Sequence, residues 1–455
     1  MKRRVLYEED RRKGSRTTPQ KRGRGAYEED GRKGSRATPD IGGGTNMNPR
    51  YAAVRDDLQA SIMNRIDFSR EVPDKEVLDL IDERLTVDAP GDLLFFTLED
   101  KKRLRQDLFH SIRRLDVLQD LLEDASVTEI MVNGPDSIFI ERGGELFPYP
   151  GSFSSAEKLE DVIQQIVGAS NRVVNTASPI VDCRLRNGDR VNVVLAPVAV
   201  NGPILTIRRF PERPITMGDL LQFGSLSEEV ARFLERCVRA GLNIFISGGT
   251  GSGKTTFLNV LSDSIDPGER VITIEDNAEL QIRHVPNLVQ MEARNENVEG
   301  CRPISIRDLI KASLRMRPDR IIVGEVRGPE AIDMVQCLNT GHDGSMSTGH
   351  ANSARDMLAR LETMILMGMD LPISAVRGQL ASGIDLIVHL GRLRDRSRKV
   401  LEIAEVTGME GGQITLSTLY RFTETGEENG KITGIWSKEN EITHRFKFEM
   451  AGIPV

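Results

Sequence analysis

The sequence predicts an α/β protein: a mostly parallel sheet with helices on both faces, preceded by a small α+β domain and an N-terminal helical bundle. Three observations carry this prediction. From about residue 225 onward, apolar strand patterns and amphipathic helix patterns alternate strictly, as a parallel sheet with crossover helices requires. A glycine-rich turn, GGTGSGKTT, lies where one such strand pattern passes into a helix pattern. Upstream, a hairpin pattern, a helix and two further strands follow a stretch with apolar residues at three- and four-residue spacing.

The elements can be justified in order. Residues 1–50 hold 14 Lys and Arg against 7 Asp and Glu, although the whole chain carries −7. They contain a repeat, YEEDRRKGSRTTP from Tyr7 and YEEDGRKGSRATP from Tyr27. Such charged, Gly/Ser/Thr-rich sequence has too little apolar surface to offset its ordering entropy, so a disordered basic tail is expected. Residues 51–125 read as a helical bundle, with Leu78, Ile81 and Leu85, then Leu104, Leu108 and Ile112, on helical faces. Residues 126–210 read as the α+β domain, built from TEIMVNG, SIFIERGGEL, EKLEDVIQQIVG, RVNVVLAP and ILTIRRF. The prolines of PERP make 211–224 a stiff linker. Residues 225–455 form the alternating domain, whose last segments, LIVHL, VLEIAEV, ITLSTLYRF, KITGIWS and HRFKF, read as hairpins of an antiparallel appendage.

Composition narrows the class of protein. With 39% hydrophobic and 28% charged residues the chain matches ordinary soluble proteins. No run approaches the roughly 18 apolar residues of a membrane-spanning helix, and the start, MKRRVLYEEDRRKG, lacks a signal-peptide core, so a cytoplasmic location is expected. Cys183, Cys237, Cys301 and Cys337 stand far apart with no CxxC pair, which argues against a zinc ribbon or a disulfide framework.

The chemistry concentrates at the predicted strand ends, where ligands of open parallel sheets bind. Gly248, Gly253, Lys254 and Thr255 satisfy GxxxxGK[ST]. The backbone of Gly248, Gly249, Thr250, Gly251, Ser252, Gly253, Lys254, Thr255 and Thr256 can wrap the phosphates of ATP, with Lys254 on the β and γ oxygens and the Thr255 hydroxyl on Mg2+. RVITIED ends in Glu275 and Asp276, with Glu279 following. RIIVGE ends in Glu325, a carboxylate long enough to hold a hydrated magnesium ion, with Gly324 removing bulk beside it. Glu275 is then free to orient or deprotonate water, although sequence alone would allow the two glutamates to exchange duties. His350, in STGHANS, is placed for a γ-phosphate contact, and His342 is a weaker candidate. Arginines able to stabilise transferred phosphoryl charge include Arg184, Arg190, Arg208 and Arg209 near the domain boundary, and Arg294, Arg307, Arg315, Arg317 and Arg327 beyond it.

Taken together, GGTGSGKTT, TIEDNAELQI, RMRPDRIIVGEVRG and NTGHDGSMSTGHANS resemble the Walker A, Asp box, Walker B and His box of the type II/type IV secretion ATPase superfamily. SVTEIMVNGPDSIFIERGG, LETMILMGMDLP and QLASGIDLIVHLGRLRDRSRKV extend the likeness, which is closer to the tight-adherence (CpaF/TadA) pilus ATPases. The resemblance implies a RecA-like ATPase core behind a PAS-like α+β domain, and a homohexameric motor at the cytoplasmic face of the inner membrane. That motor would work on a polytopic platform protein to assemble a tight-adherence pilus, with no direct nucleic-acid contact. DNA transfer or protein export is the alternative within the superfamily, and a P-loop small-molecule kinase a more distant one. The resemblance also gives Glu275 the water-polarising role and Glu325 the magnesium role, and it maps the family's N-terminal arginines onto Arg190 and Arg208. Gly349 stands where that family usually has a bulky aliphatic residue, and RLRNG replaces its RLPDG-like turn.

Overall fold

The computed structural model describes residues 50–67, 70, 72–86, 93, 95–210, 213–294 and 302–455. The repeated tail before Arg50, Pro90-Gly91, the Pro211-Glu212 start of the linker and Cys301 lie outside the described residues.

Helices α1 (Tyr51–Met63), α2 (Asp74–Thr86) and α3 (Leu98–Arg113) bury Val54, Leu58 and Ile62, then Val77, Ile81 and Leu85, then Leu104 and Leu108, in one cluster. Thr97 and Asp100 cap α3 reciprocally, side chain to backbone in both directions.

After the short α4 (Leu118–Glu123) come β1 (Val127–Asn133), β2 (Ile138–Arg142), β3 (Glu145–Tyr149), α5 (Ala156–Ala169), β4 (Ile180–Arg184), β5 (Arg190–Val194) and β6 (Ile204–Arg208). Their order in one sheet is β3-β2-β1-β6-β5-β4, with every neighbouring pair antiparallel. Alternation decides what each face carries. Val191, Val193, Leu205 and Ile207 share a core with Leu159, Val162, Ile163 and Ile166 of α5. Arg190 and Arg208, register partners on β5 and β6, therefore stand together on the opposite face.

The segment read as a linker is structured from Thr216 on. It forms α6 (Met217–Gln222), capped by Thr216 and Asp219, and Leu220 joins the core of the second sheet. The prolines restrict only the residues around them; an N-cap followed by apolar leucines starts a helix directly afterwards.

The alternating region contains α7 (Glu228–Arg239), β7 (Ile244–Gly248), α8 (Lys254–Ser262), β8 (Arg270–Glu275), β9 (Asn287–Glu292), α9 (Ile306–Ser313), β10 (Arg320–Val323), α10 (Ala331–Leu338), β11 (Met346–His350), α11 (Ala354–Gly368) and α12 (Ile373–Gly383). The chain ends with β12 (Leu386–Arg392), β13 (Arg398–Glu410), β14 (Gln413–Glu428), β15 (Lys431–Lys438) and α13 (Arg445–Met450). The sheet order is β15-β14-β13-β12-β7-β11-β10-β8-β9. The pairs from β12 to β9 are all parallel. Ile244 and Ile246 of β7 enter one core with α7 and α8, while Phe245 enters another with α9 to α12, so helices cover both faces.

Three expectations for the C-terminus change. LIVHL does form a hairpin with the next segment, as β12 antiparallel to β13, but its other edge pairs parallel with β7, so it also belongs to the parallel core. Strands β13 to β15 are antiparallel, yet they extend that same sheet. HRFKF looks like a strand by its alternating phenylalanines, but it enters helix α13, which buries Phe448 and exposes Phe446.

A buried carboxylate fixes this last helix. Glu405 accepts from Thr443 N (2.8 Å), Thr443 Oγ1 (2.9 Å), His444 N (2.8 Å) and His444 Nδ1 (2.6 Å). Burial pushes its pKa up, but the donors from His444 and Thr443 outweigh that and hold it below the usual range. The same bond raises His444. Glu405's share of stability is thus present above the ordinary carboxylate range and lost on acidification; His444's is present below the ordinary imidazole pKa and lost as pH rises. Among the described residues no helix is long and apolar enough to cross a membrane. Replacing Glu405 by Ala leaves these donors unmatched and is expected to cost roughly 3 kcal/mol. Thermal denaturation reads this; an unchanged Tm would show that the network contributes no net stability.

Candidate nucleotide site

Strands β7, β8, β10 and β11 run parallel, so their carboxyl ends open on one edge of the sheet. A cavity of about 190 Å³ lies there. Its lining includes Thr250, Gly251, Gly253, Lys254, Thr255, Thr256, Glu275, Glu325, His350, Arg190 and Arg208.

The glycine-rich turn after β7 has the backbone that its sequence demands. Gly251 (φ +71°) and Gly253 (φ +90°) take left-handed conformations, and a Cβ on Gly248 would fall 2.6 Å from the Leu390 carbonyl. Ser252 Oγ donates to Gly249 O at 2.9 Å, and Arg398 Nε to Gly251 O at 2.9 Å. Lys254 is only 7% exposed. Its Nζ donates to Gly249 O (3.1 Å) and stands 3.3 Å from His350 Nδ1. Burial lowers its pKa. Burial, followed by the nearby Lys254 charge, lowers that of His350.

Glu275 ends β8 and is 3% exposed. Its Oε1 accepts the amides of Glu279 (2.9 Å) and Leu280 (3.1 Å). Desolvation still dominates and pushes its pKa up to about 7. A Cβ on Gly324 would lie 2.8 Å from Glu275 Cγ, so the space cleared by this glycine is filled by Glu275 and not, as read from sequence, by the surroundings of Glu325.

Glu325 follows β10. Its Oε2 accepts from Arg327 Nη2 at 2.7 Å. His350 Nε2 approaches Oε1 to 2.8 Å without hydrogen-bond geometry, leaving a buried carboxylate oxygen without a hydrogen-bond partner. That oxygen, with the Thr255 hydroxyl on the same cavity, suits a hard cation with oxygen ligands.

From the other sheet, Arg190 Nη1 reaches Glu279 Oε1 at 3.5 Å and its Nη2 lies 3.8 Å from Asp182. Arg208 lines the cavity beside it. Most other candidate arginines are engaged elsewhere. Arg184 pairs with Glu292 (3.1 Å), Arg307 with Asp333 (2.6 Å), and Arg209 is held by the Asp124 and Val127 carbonyls. Arg294 bonds the Arg302 carbonyl, Arg315 and Arg317 are absent from the cavity lining, and His342 contacts Thr340 and the Cys337 carbonyl. Arg327 does line the cavity, as do Asp276 and Asn277; the only signal for Asn277 was its place two residues beyond a strand end. Cys183, Cys237 and Cys337 are buried free thiols.

Residues 113–430 match the family described as Type II/IV secretion system protein. The chain belongs to this family. Among its members, a TrbB protein of Sinorhizobium fredii named as a probable conjugal transfer protein is 36% identical over 316 residues, 69% of this chain and 93% of the relative. The type IV secretion system protein VirB11 of Bartonella quintana is 30% identical over 334 residues, 64% of this chain and 92% of the relative. The crystal structure of the Brucella suis VirB11 ATPase with sulphate is 28% identical, covering 63% of this chain and 95% of that one with a TM-score of 0.36. At Gly349 a Cβ would meet Met357 Cε at 2.9 Å and Phe245 Cε1 at 3.0 Å, so a larger side chain there requires both neighbours to move.

Adding a methyl group at Gly324 must displace the buried Glu275 side chain, and Gly324→Ala is expected to destabilise the protein by about 1–3 kcal/mol. A Tm equal to the parent's would mean that Glu275 yields freely.

Proposed function

We propose that the chain is an ATPase whose turnover drives a type II/IV secretion machine, working as a homohexamer at the cytoplasmic face of the inner membrane through a polytopic membrane partner. One observation carries this: Lys254, Glu275, Glu325 and His350, from four parallel strand ends, share a cavity with Arg190 and Arg208 of the other sheet.

In this reading the amides of 249–256 and the Lys254 ammonium bind the β and γ phosphates, Lys254 exchanging the Gly249 carbonyl for phosphate oxygen. Glu275, with its pKa near 7, accepts a proton from the attacking water, since a base works best with a pKa close to the working pH. Thr255 and Glu325 would hold a magnesium ion, which when bound would supply positive charge at the phosphate oxygens. His350 contacts the γ-phosphate. Arg190 and Arg208 stabilise charge on the transferred group, where a single arginine can be worth about 10³–10⁵ in rate.

The names of the curated relatives, conjugal transfer and type IV secretion, support export or DNA transfer as the work performed. In this reading the chain acts through partner proteins and makes no direct contact with nucleic acid. Assembly of a tight-adherence pilus is the second reading, and it rests on the motif likeness that runs through QLASGIDLIVHLGRLRDRSRKV. A small-molecule kinase would consume ATP only with an acceptor supplied, so hydrolysis by the chain alone separates it from both.

Lys254→Ala should abolish hydrolysis. Glu275→Gln should still bind ATP while turnover falls by about 10²–10⁴, and Glu325→Gln should chiefly change the magnesium dependence. The reverse pattern in a magnesium titration would exchange the two roles. Because Glu275 acts as its carboxylate, kcat should rise with pH through about 7 and then level off. An acid limb near the ordinary carboxylate pKa would remove Glu275 from the base role.

A further inference from the structure

The turn after β8 is where the two sheets meet at the buried acid. Its amides at Glu279 and Leu280 are the donors to Glu275 Oε1, at 2.9 and 3.1 Å. One end of the turn is anchored in the parallel-sheet half of the molecule. Leu280 is buried, its carbonyl accepts from Gln290 Nε2 at 3.1 Å, and the Gln281 amide donates to Asn259 Oδ1 of α8 at 2.9 Å. The other end faces the cavity through Asp276, Asn277 and Glu279. Among the described residues, the Glu279 carboxylate has one ion-pair partner, Arg190 of β5 at 3.5 Å.

We infer that Glu279 is a positioning residue: its carboxylate is the resting partner of Arg190, and through its own amide it ties the placement of the N-terminal sheet to the orientation of Glu275. This rests on the reading above, in which Glu275 and Arg190 serve ATP turnover. Arg190 offers Nη1 to Glu279 at 3.5 Å and lies 3.8 Å from Asp182 through Nη2, so a phosphoryl group drawing on the same guanidinium competes with both carboxylates. The existing contact is long and partly solvated, which makes it weak, so a polyphosphate entering the cavity outcompetes it. Once Arg190 turns to the phosphate, Glu279 is left as an uncompensated negative charge beside Glu275. A like charge there favours protonation of Glu275, so it raises the proton affinity of this carboxylate and lowers its ionised fraction near neutral pH. Arrival of the arginine and a shift in the proton affinity of Glu275 thus become one event, and a subunit whose N-terminal sheet is out of place lacks both.

The test uses the full chain with magnesium and a fluorescent non-hydrolysable ATP analogue, comparing parent, Glu279→Gln, Arg190→Gln and the double variant. Glu279→Gln keeps the side-chain shape and removes the nearer competitor for Arg190, Asp182 at 3.8 Å being unchanged. It should bind the analogue about fivefold more tightly, the scale of a partly screened ion pair. In the Arg190→Gln background the same change should have a clearly smaller effect, left only by the repulsion between Glu279 and the polyphosphate. The acid limb of kcat should also move to lower pH in Glu279→Gln, because a negative neighbour of Glu275 is gone. Equal effects of Glu279→Gln in the two backgrounds, or unchanged affinity, overturn the inference. If Lys254→Ala and Glu275→Gln hydrolyse ATP like the parent, the fault lies instead in the functional reading. If they are inactive while the cycle is additive, only the role of Glu279 falls.

Discussion

A nearly buried ammonium group is the constraint on which the site depends. Lys254 has left water for a position where its contacts are a carbonyl oxygen and an imidazole nitrogen, neither of them an anion. A cation so placed is poorly compensated, and its lowered pKa records the cost. Lys254 is the first residue of α8, directly after the left-handed Gly253, so its side chain starts from the turn itself. The surrounding acids do not neutralise it directly: Glu325 is engaged by Arg327 and His350, and Glu275 by backbone amides. The compensation that is missing is the kind a polyphosphate brings.

The supporting groups follow from sheet geometry. Parallel strands put all their carboxyl ends on one edge, so residues far apart in sequence reach one cavity without any long loop. The antiparallel sheet contributes through a different rule, the period of two, which hides the valines of β5 under α5 and turns Arg190 outward.

Much of this was legible in the sequence. The strands β7, β8 and β10 are almost wholly buried, and their short apolar runs stand out, as does the glycine-rich turn after β7. Glu275 and Glu325 are legible because one ends and the other closely follows such a strand, and His350 because it ends the more polar β11 beside a loop. Arg190 and Arg208 could be singled out only through a family resemblance, since nothing local distinguishes them from other strand arginines. What sequence could not give was tertiary. LIVHL looks the same whether it pairs parallel or antiparallel, and HRFKF reads as a strand until Glu405 gathers the amides before it. Gly324 was understood to make room, but the side chain filling that room comes from the adjacent strand β8.

The C-terminal strands are hydrogen-bonded, through β12, to the very strand that carries the glycine-rich turn. The ladder from β12 out to β15 is not even: its register shifts at His389/Leu390, Ile403/Ala404, Val406/Gly408 and Glu424/Gly426. Each such bulge bends its strand and sharpens the local twist. The far margin of the sheet is therefore swung round by these irregularities, although its hydrogen bonds lead back without a gap to β7.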